Sequence, residues 1–193
     1  TDERVISLKE PGAYSERISA LRVQVDHLGM QPGRPSARGF QRIVKLIDGF
    51  DPDVVHSWMY HAGIAALLGA RVSGSQAKVV WNIRHSLHDL GLEKGSTALV
   101  IRLGALLSRY PDAIVYNAHS SRQQHIRAGY SPRRSSVIPN GFDGKRDRRD
   151  PTSRARLRER LGLDSTTKLI GIVARYHPMK DHATFLRAAG LIA

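Results

Sequence analysis

Short apolar runs rich in Val and Ile recur along this chain with amphipathic, helix-length segments between them. That alternation restricts the fold to βαβ units built on a parallel sheet. The runs are Arg4 to Leu8, Val23 to His27, Asp53 to Ser57, Lys78 to Ile83, Ala113 to Asn117, Ser136 to Ile138 and Lys168 to Ala174. Among the segments between them, Phe40, Ile43, Val44 and Ile47 repeat at i, i+3, i+4 and i+7. Leu99, Val100, Leu103, Leu106 and Leu107 make a wider apolar stripe, apolar enough for a core helix. Tyr14, Ile18 and Leu21 mark an earlier helix. Pro32 to Pro35 and Pro111 punctuate loops, and Gly49-Phe50-Asp51-Pro52 closes a helix ahead of the third run.

The 193 residues allow one large or two small domains, and 41% hydrophobic content supports a packed core. Thirty Lys and Arg against 17 Asp and Glu give a net charge of +13. Such an excess favours anionic partners: nucleic acid, an acidic membrane face or phosphorylated small molecules. The absence of cysteine excludes a disulfide framework and a thiolate metal site, and fits a reducing compartment. No apolar run approaches the roughly 20 residues that span a bilayer. Thr1-Asp2-Glu3-Arg4 is not a signal peptide, and the chain stops inside a helical pattern at Ala189 to Ala193, so the expectation is a piece of a longer protein.

The composition shifts at Asn140 to Arg160, where Lys145, Arg146, Arg148, Arg149, Arg154, Arg156, Arg158 and Arg160 crowd around Pro151. This reads as a linker followed by a charged helix, its cations forming a solvated hinge and helix face. Nucleic-acid binding is disfavoured because no aromatic residue is interleaved to stack on bases. A basic amphipathic surface for anionic lipid fits better.

Three places carry candidate chemistry. Val173-Ala174-Arg175-Tyr176-His177-Pro178-Met179-Lys180-Asp181 sets two cations on the turn between a strand-like run and a helix that Asp181 can cap. A helix N-terminus attracts anions, so Arg175 and Lys180 are placed to handle phosphate, with a polar surface loop as the alternative. His85 follows the run ending at Ile83, at the edge where open α/β sheets bind ligands, with a satisfied loop histidine as the alternative. His56 ends another run, in Asp53-Val54-Val55-His56-Ser57-Trp58-Met59-Tyr60-His61, where a structural role under the next helix is an equal alternative for it and for His61. No His-x-x-x-His with a carboxylate at ligand spacing supports a metal site.

Tyr116-Asn117-Ala118-His119-Ser120-Ser121-Arg122, then Gly129-Tyr130, then Val137-Ile138-Pro139-Asn140-Gly141-Phe142-Asp143, resembles a signature of the family-four retaining glycosyltransferases of the GT-B fold. The resemblance implies a Rossmann-like parallel-sheet domain with helices on both faces, plus the first βα unit of a second such domain. Its divisions would be an acceptor-side domain over 1–139 lacking its first strand, a linker and charged helix over 140–165, and the start of the nucleotide-sugar domain over 166–193. Pro139 would stiffen the crossing between domains, and Asn140-Gly141 would supply a turn needing positive φ.

That likeness also implies an activity: transfer of a hexose from a nucleotide diphosphate sugar to a hydroxyl of a glycan or lipid-linked acceptor, with retention, in polysaccharide or glycoconjugate synthesis. Arg175 and Lys180 would bind the diphosphate and substitute for a metal ion, so no cofactor or metal is expected. Asn140 and Gly141 would lie with the donor, His85 near the reacting centre, and His56 and Arg84 on the acceptor side. Trp58 stands where relatives often carry a second His, and Arg84 where a small or aromatic residue is expected. The location implied is cytoplasmic, with peripheral contact to an anionic membrane, and the fragment alone is expected to be inactive. Alternatives are a nucleotide-sugar epimerase on the same fold and a non-catalytic basic module for nucleic acid or anionic membrane.

Overall fold

A computed structural model describes residues 2–31, 34, 36–142, 144 and 150–192. Pro32, Pro35, Asp143 and the linker cations Lys145, Arg146, Arg148 and Arg149 lie outside the described residues. The chain divides into two compact units, Thr1–Gly141 and Phe142–Ala193.

In the first unit the Val/Ile runs become β1 (Arg4–Ser7), β2 (Gln24–His27), β3 (Val54–Trp58), β4 (Lys78–Ile83), β5 (Ala113–Tyr116) and β6 (Ser135–Val137). Every pairing is parallel: β1 with β2, and β3-β4-β5-β6 as a four-stranded sheet. The helices α1 (Ser15–Ser19), α2 (Ala37–Phe50), α3 (Met59–Val72), α4 (Gly95–Leu107) and α5 (His119–Arg127) supply the crossovers. Helices cover both faces. Accordingly Trp81, Asn82 and Ile83 are consecutive and all buried, which only a strand covered on both sides allows.

Local chemistry sets the helix ends. The Ser36 hydroxyl accepts from the Gly39 N–H at 3.1 Å to open α2, and Asp51 closes it in the left-handed conformation at φ 46°. Ile43 and Ile47 of α2 are buried where Gly69 lets α3 approach: a Cβ there would meet Ile43 Cγ2 at 2.9 Å. Residues of both β1 and β3 line a cavity of ≈ 710 Å³, together with Ile43, Ile47 and Phe50 of α2.

Two apolar patterns pack less than their spacing suggests. Tyr14 and Leu21 flank the five-residue α1 and are exposed. On α4 the buried face is Ile101 and Gly104, while Leu99, Leu103 and Leu106 point outward, so the stripe is not simply a core face. A helix that is apolar nearly all round gives no phase to choose the buried side by.

In the second unit, α6 (Ser153–Leu161) ends at Gly162 with φ 63°, and Arg158 donates to the carbonyls of Asp164 and Thr167 beyond it. The Asp164 carboxylate accepts the Thr166 and Thr167 N–H groups at 2.8 and 2.7 Å, which holds its pKa far below the usual carboxylate range; the Thr166 hydroxyl, as donor, is the largest cause. After a single 3₁₀ turn (Pro178–Lys180), the Asp181 carboxylate accepts from Thr184 N–H at 3.2 Å and caps α7 (His182–Ile192), as expected. Lys168 to Ala174, expected as a strand, joins no ladder. A strand exists by sharing its N–H and C=O groups with a neighbour, and no described residue of this unit offers one. No described residue of the unit is buried, and Val173 is fully exposed.

Gly104 is where α4 passes over Tyr130, and a Cβ there would overlap the Tyr130 hydroxyl. Gly104→Ala therefore trades about 1 kcal/mol of helix propensity for an overlap costing about 1–3 kcal/mol. A lower urea midpoint at unchanged m-value is the expected outcome.

Candidate functional site

The carboxyl ends of β3, β4, β5 and β6 fall within one residue of one another: Trp58 pairs with Asn82, and the next row is Ile83, Tyr116 and Val137. Parallel strands all present this edge together, and the segments leaving it carry most of the residues singled out from sequence. Arg84 leaves β4 and lies across the end of β5: one guanidinium nitrogen donates to Asn140 Oδ1 beyond β6, and another to Asn82 Oδ1 at 3.4 Å. Its Cζ sits 5.3 Å from the centroid of the Trp58 ring, a cation–π distance. One side chain thus ties β3, β4 and the exit from β6. The His56 ring lies 5.9 Å from that of Trp58, tilted by 42°, and partial burial lowers its pKa.

His85, next along, is half-buried. Its Nδ1 is 3.2 Å from the Tyr60 hydroxyl and its Nε2 is 3.5 Å from Glu93 Oε1. Tyr60 arrives there because β3 passes into α3 without a loop, Met59 taking φ 72° at the junction, a conformation costing an ordinary residue about 1–2 kcal/mol. The Tyr60 hydroxyl also meets His125 Nε2 at 2.7 Å, and His125 Nδ1 meets the Ser121 carbonyl at 2.7 Å. Tyr116 and Tyr130 enclose the His125 ring at 5.3 and 5.1 Å, leaving it wholly buried. Burial lowers the His125 pKa, and burial raises that of Tyr60 well above its ordinary value.

Helix α5 holds the loop after β4 from beneath. The Ser121 hydroxyl donates to the His85 carbonyl at 2.6 Å, and Gln124 Oε1 accepts from Leu87 N–H at 2.9 Å. Arg122 donates to the Ser135 hydroxyl at 2.8 Å and secures the start of β6.

The structure brings His85, Arg84 and Asn140 to one edge, with His56 beside Trp58 and His61 exposed on α3. Asn140 and Gly141 are exposed and neither has positive φ, so the expected left-handed turn is absent; the segment simply runs on from β6, and a Cβ at Gly141 would meet nothing. Arg175 and Lys180 are exposed on the second unit, Lys180 ending its 3₁₀ turn. Among the described residues no group of three or more His, Asp or Glu is arranged to hold a metal, and no helix is long and apolar enough to cross a membrane. Sequence reasoning missed Tyr60, Glu93, Ser121, Gln124 and His125. The one available signal was the i, i+4 spacing of Ser121 and His125, hidden in an otherwise polar helix.

A parallel sheet wrapped by helices, with its polar cluster at the carboxyl edge, defines the class as an α/β, Rossmann-like fold of the GT-B type. The family model for Glycosyltransferase Family 4 matches residues 2–146, and the chain belongs to that family. Among solved structures it is similar to HepE (Alr3699) of Anabaena in complex with UDP, at 20% identity and TM-score 0.78, over 96% of this chain and 49% of HepE. The HepE complex with UDP-glucose aligns at 21% identity and TM-score 0.74, over 96% and 49%. The apo lipopolysaccharide outer core galactosyltransferase WaaB aligns at 13% identity and TM-score 0.52, over 74% of this chain and 46% of WaaB. The chain thus spans about half the length of these proteins. No curated protein matches it.

Burial gives His125 a measurable signature. Its folded-state pKa lies below the unfolded value of about 6.5, so below that pH the unfolded chain binds the extra proton first. Stability present above about pH 6.5 is therefore lost as pH falls, by at most about 1.4 kcal/mol per pH unit for one proton. Urea midpoints taken from about pH 7.5 to about pH 5 should show this slope, and His125→Gln should flatten it.

Proposed function

We propose that the whole protein transfers a hexose from a nucleotide diphosphate sugar to a hydroxyl of a glycan or lipid-linked acceptor, with retention and without a metal. The observation that carries this reading is the Glycosyltransferase Family 4 match, which falls on the unit whose sheet edge gathers Arg84, His85 and Asn140. The solved HepE structures hold UDP and UDP-glucose, so uridine nucleotides head the donors to test. Arg175 and Lys180 take the diphosphate in this reading. The leaving nucleotide gains negative charge as the sugar departs, and fixed cations stabilise that charge without a metal. His85 handles a substrate hydroxyl, and the departing phosphate accepts the acceptor's proton, so positioning carries the rest.

Two further proposals attach to this one. The slot lined by β1 and β3 suits one more strand, as the resemblance implies. The outward Leu99, Leu103 and Leu106 of α4, with Arg102 and Arg109 beside them, meet an anionic membrane face, where a lipid-linked acceptor would be presented.

Release of nucleoside diphosphate from a panel of nucleotide sugars tests the reading in the whole protein. Arg175→Ala and Lys180→Ala should each lower kcat/KM by at least about 100-fold. Both side chains are exposed, so stability should change by less than about 0.5 kcal/mol. No release from any donor, with salt-sensitive binding to nucleic acid or anionic vesicles instead, would overturn it.

A further inference from the structure

The hydrogen bonds behind His85 have only one consistent set of directions. The Ser121 carbonyl can only accept, so the proton between it and His125 belongs to His125 Nδ1. His125 is wholly buried and uncharged, which leaves its Nε2 without a proton. The Tyr60 hydroxyl, 2.7 Å away, must therefore donate to that Nε2. A phenol has one proton, so towards His85 the same oxygen can only accept, at 3.2 Å. Each step fixes the next, from a backbone carbonyl out to the half-buried imidazole.

We propose that Tyr60 and His125 are positioning residues that hold His85 with its proton on Nδ1, leaving the Nε2 that faces Glu93 as the working nitrogen. Free imidazole exchanges its proton between both nitrogens, and here the fold chooses one. Nε2 and Glu93 Oε1 are both acceptors when His85 is neutral, and they lie 3.5 Å apart. Such a pair is completed by a donor, the O–H of a sugar or acceptor hydroxyl. The relay itself stands on geometry, and its importance for transfer rests on the role given to His85 above.

Histidine-selective ¹⁵N spectra of the whole protein near about pH 8.5, where imidazoles are neutral, read the tautomers directly. Both His85 and His125 should appear protonated at Nδ1 and bare at Nε2. Tyr60→Phe removes the acceptor for His85, and His125→Phe frees the Tyr60 proton to turn towards it. Either change should move the His85 proton to Nε2 and lower kcat by about ten- to a hundredfold. Nε2–H at either histidine in the unaltered protein overturns the relay, and this reading stands even if neither variant folds. So does a folded variant in which the His85 tautomer is unmoved. If the tautomers are as stated but His85→Ala leaves transfer intact, the role given to His85 fails while the relay holds. Reversed tautomers with transfer abolished by His85→Ala would show the opposite.

Discussion

The hydrogen bond between Tyr60 and His125, buried among Tyr116 and Tyr130, is the contact on which the sheet edge depends. It joins the first turn of α3 to the last turn of α5, the helices that follow β3 and β5, and so fixes the floor beneath the loop leaving β4. A buried polar pair of this kind contributes little net stability while intact, but leaving one partner unsatisfied costs about 1–3 kcal/mol. That asymmetry makes the arrangement specific: α5 can sit only where its histidine finds the tyrosine. The strained step at Met59 is tolerated for the same reason, since it delivers Tyr60 to that position with no intervening loop.

Above this floor the edge is polar and divided in role. Arg84 is committed to Trp58, Asn82 and Asn140, so its charge serves first to hold three segments together. His85 keeps one nitrogen for the interior and one for Glu93. In the second unit the cations differ in kind. Arg156 pairs with Asp150 at 2.7 Å and Arg158 closes the turn after α6, so part of the basic stretch is local architecture. Arg175 and Lys180 are exposed in the segment ahead of α7, Lys180 ending the 3₁₀ turn.

Much of this was legible in the sequence. The six strands that formed were readable because Val and Ile runs between turn residues have few other uses. Lys168 to Ala174 has the same composition but joins no ladder, because pairing is a property of neighbours and not of the segment. The outward leucines of α4 were misread because a helix apolar on most sides gives periodicity no direction. His125 was invisible because α5 reads HSSRQQHIR, a surface composition, and nothing local says that its histidine meets a tyrosine 65 positions earlier. His85 could be singled out because the end of a parallel strand is fixed by the strand itself, whereas Arg84 and Asn140 were reached only through the family resemblance.

The proposal that sugar chemistry takes place at the carboxyl edge of the sheet is tested most directly by a crystal structure of the whole protein with a bound nucleotide sugar. The sugar should lie within hydrogen-bond reach of His85 Nε2, about 2.6–3.2 Å, with the diphosphate on Arg175 and Lys180. A ligand bound away from His85, with those two cations untouched, would contradict it.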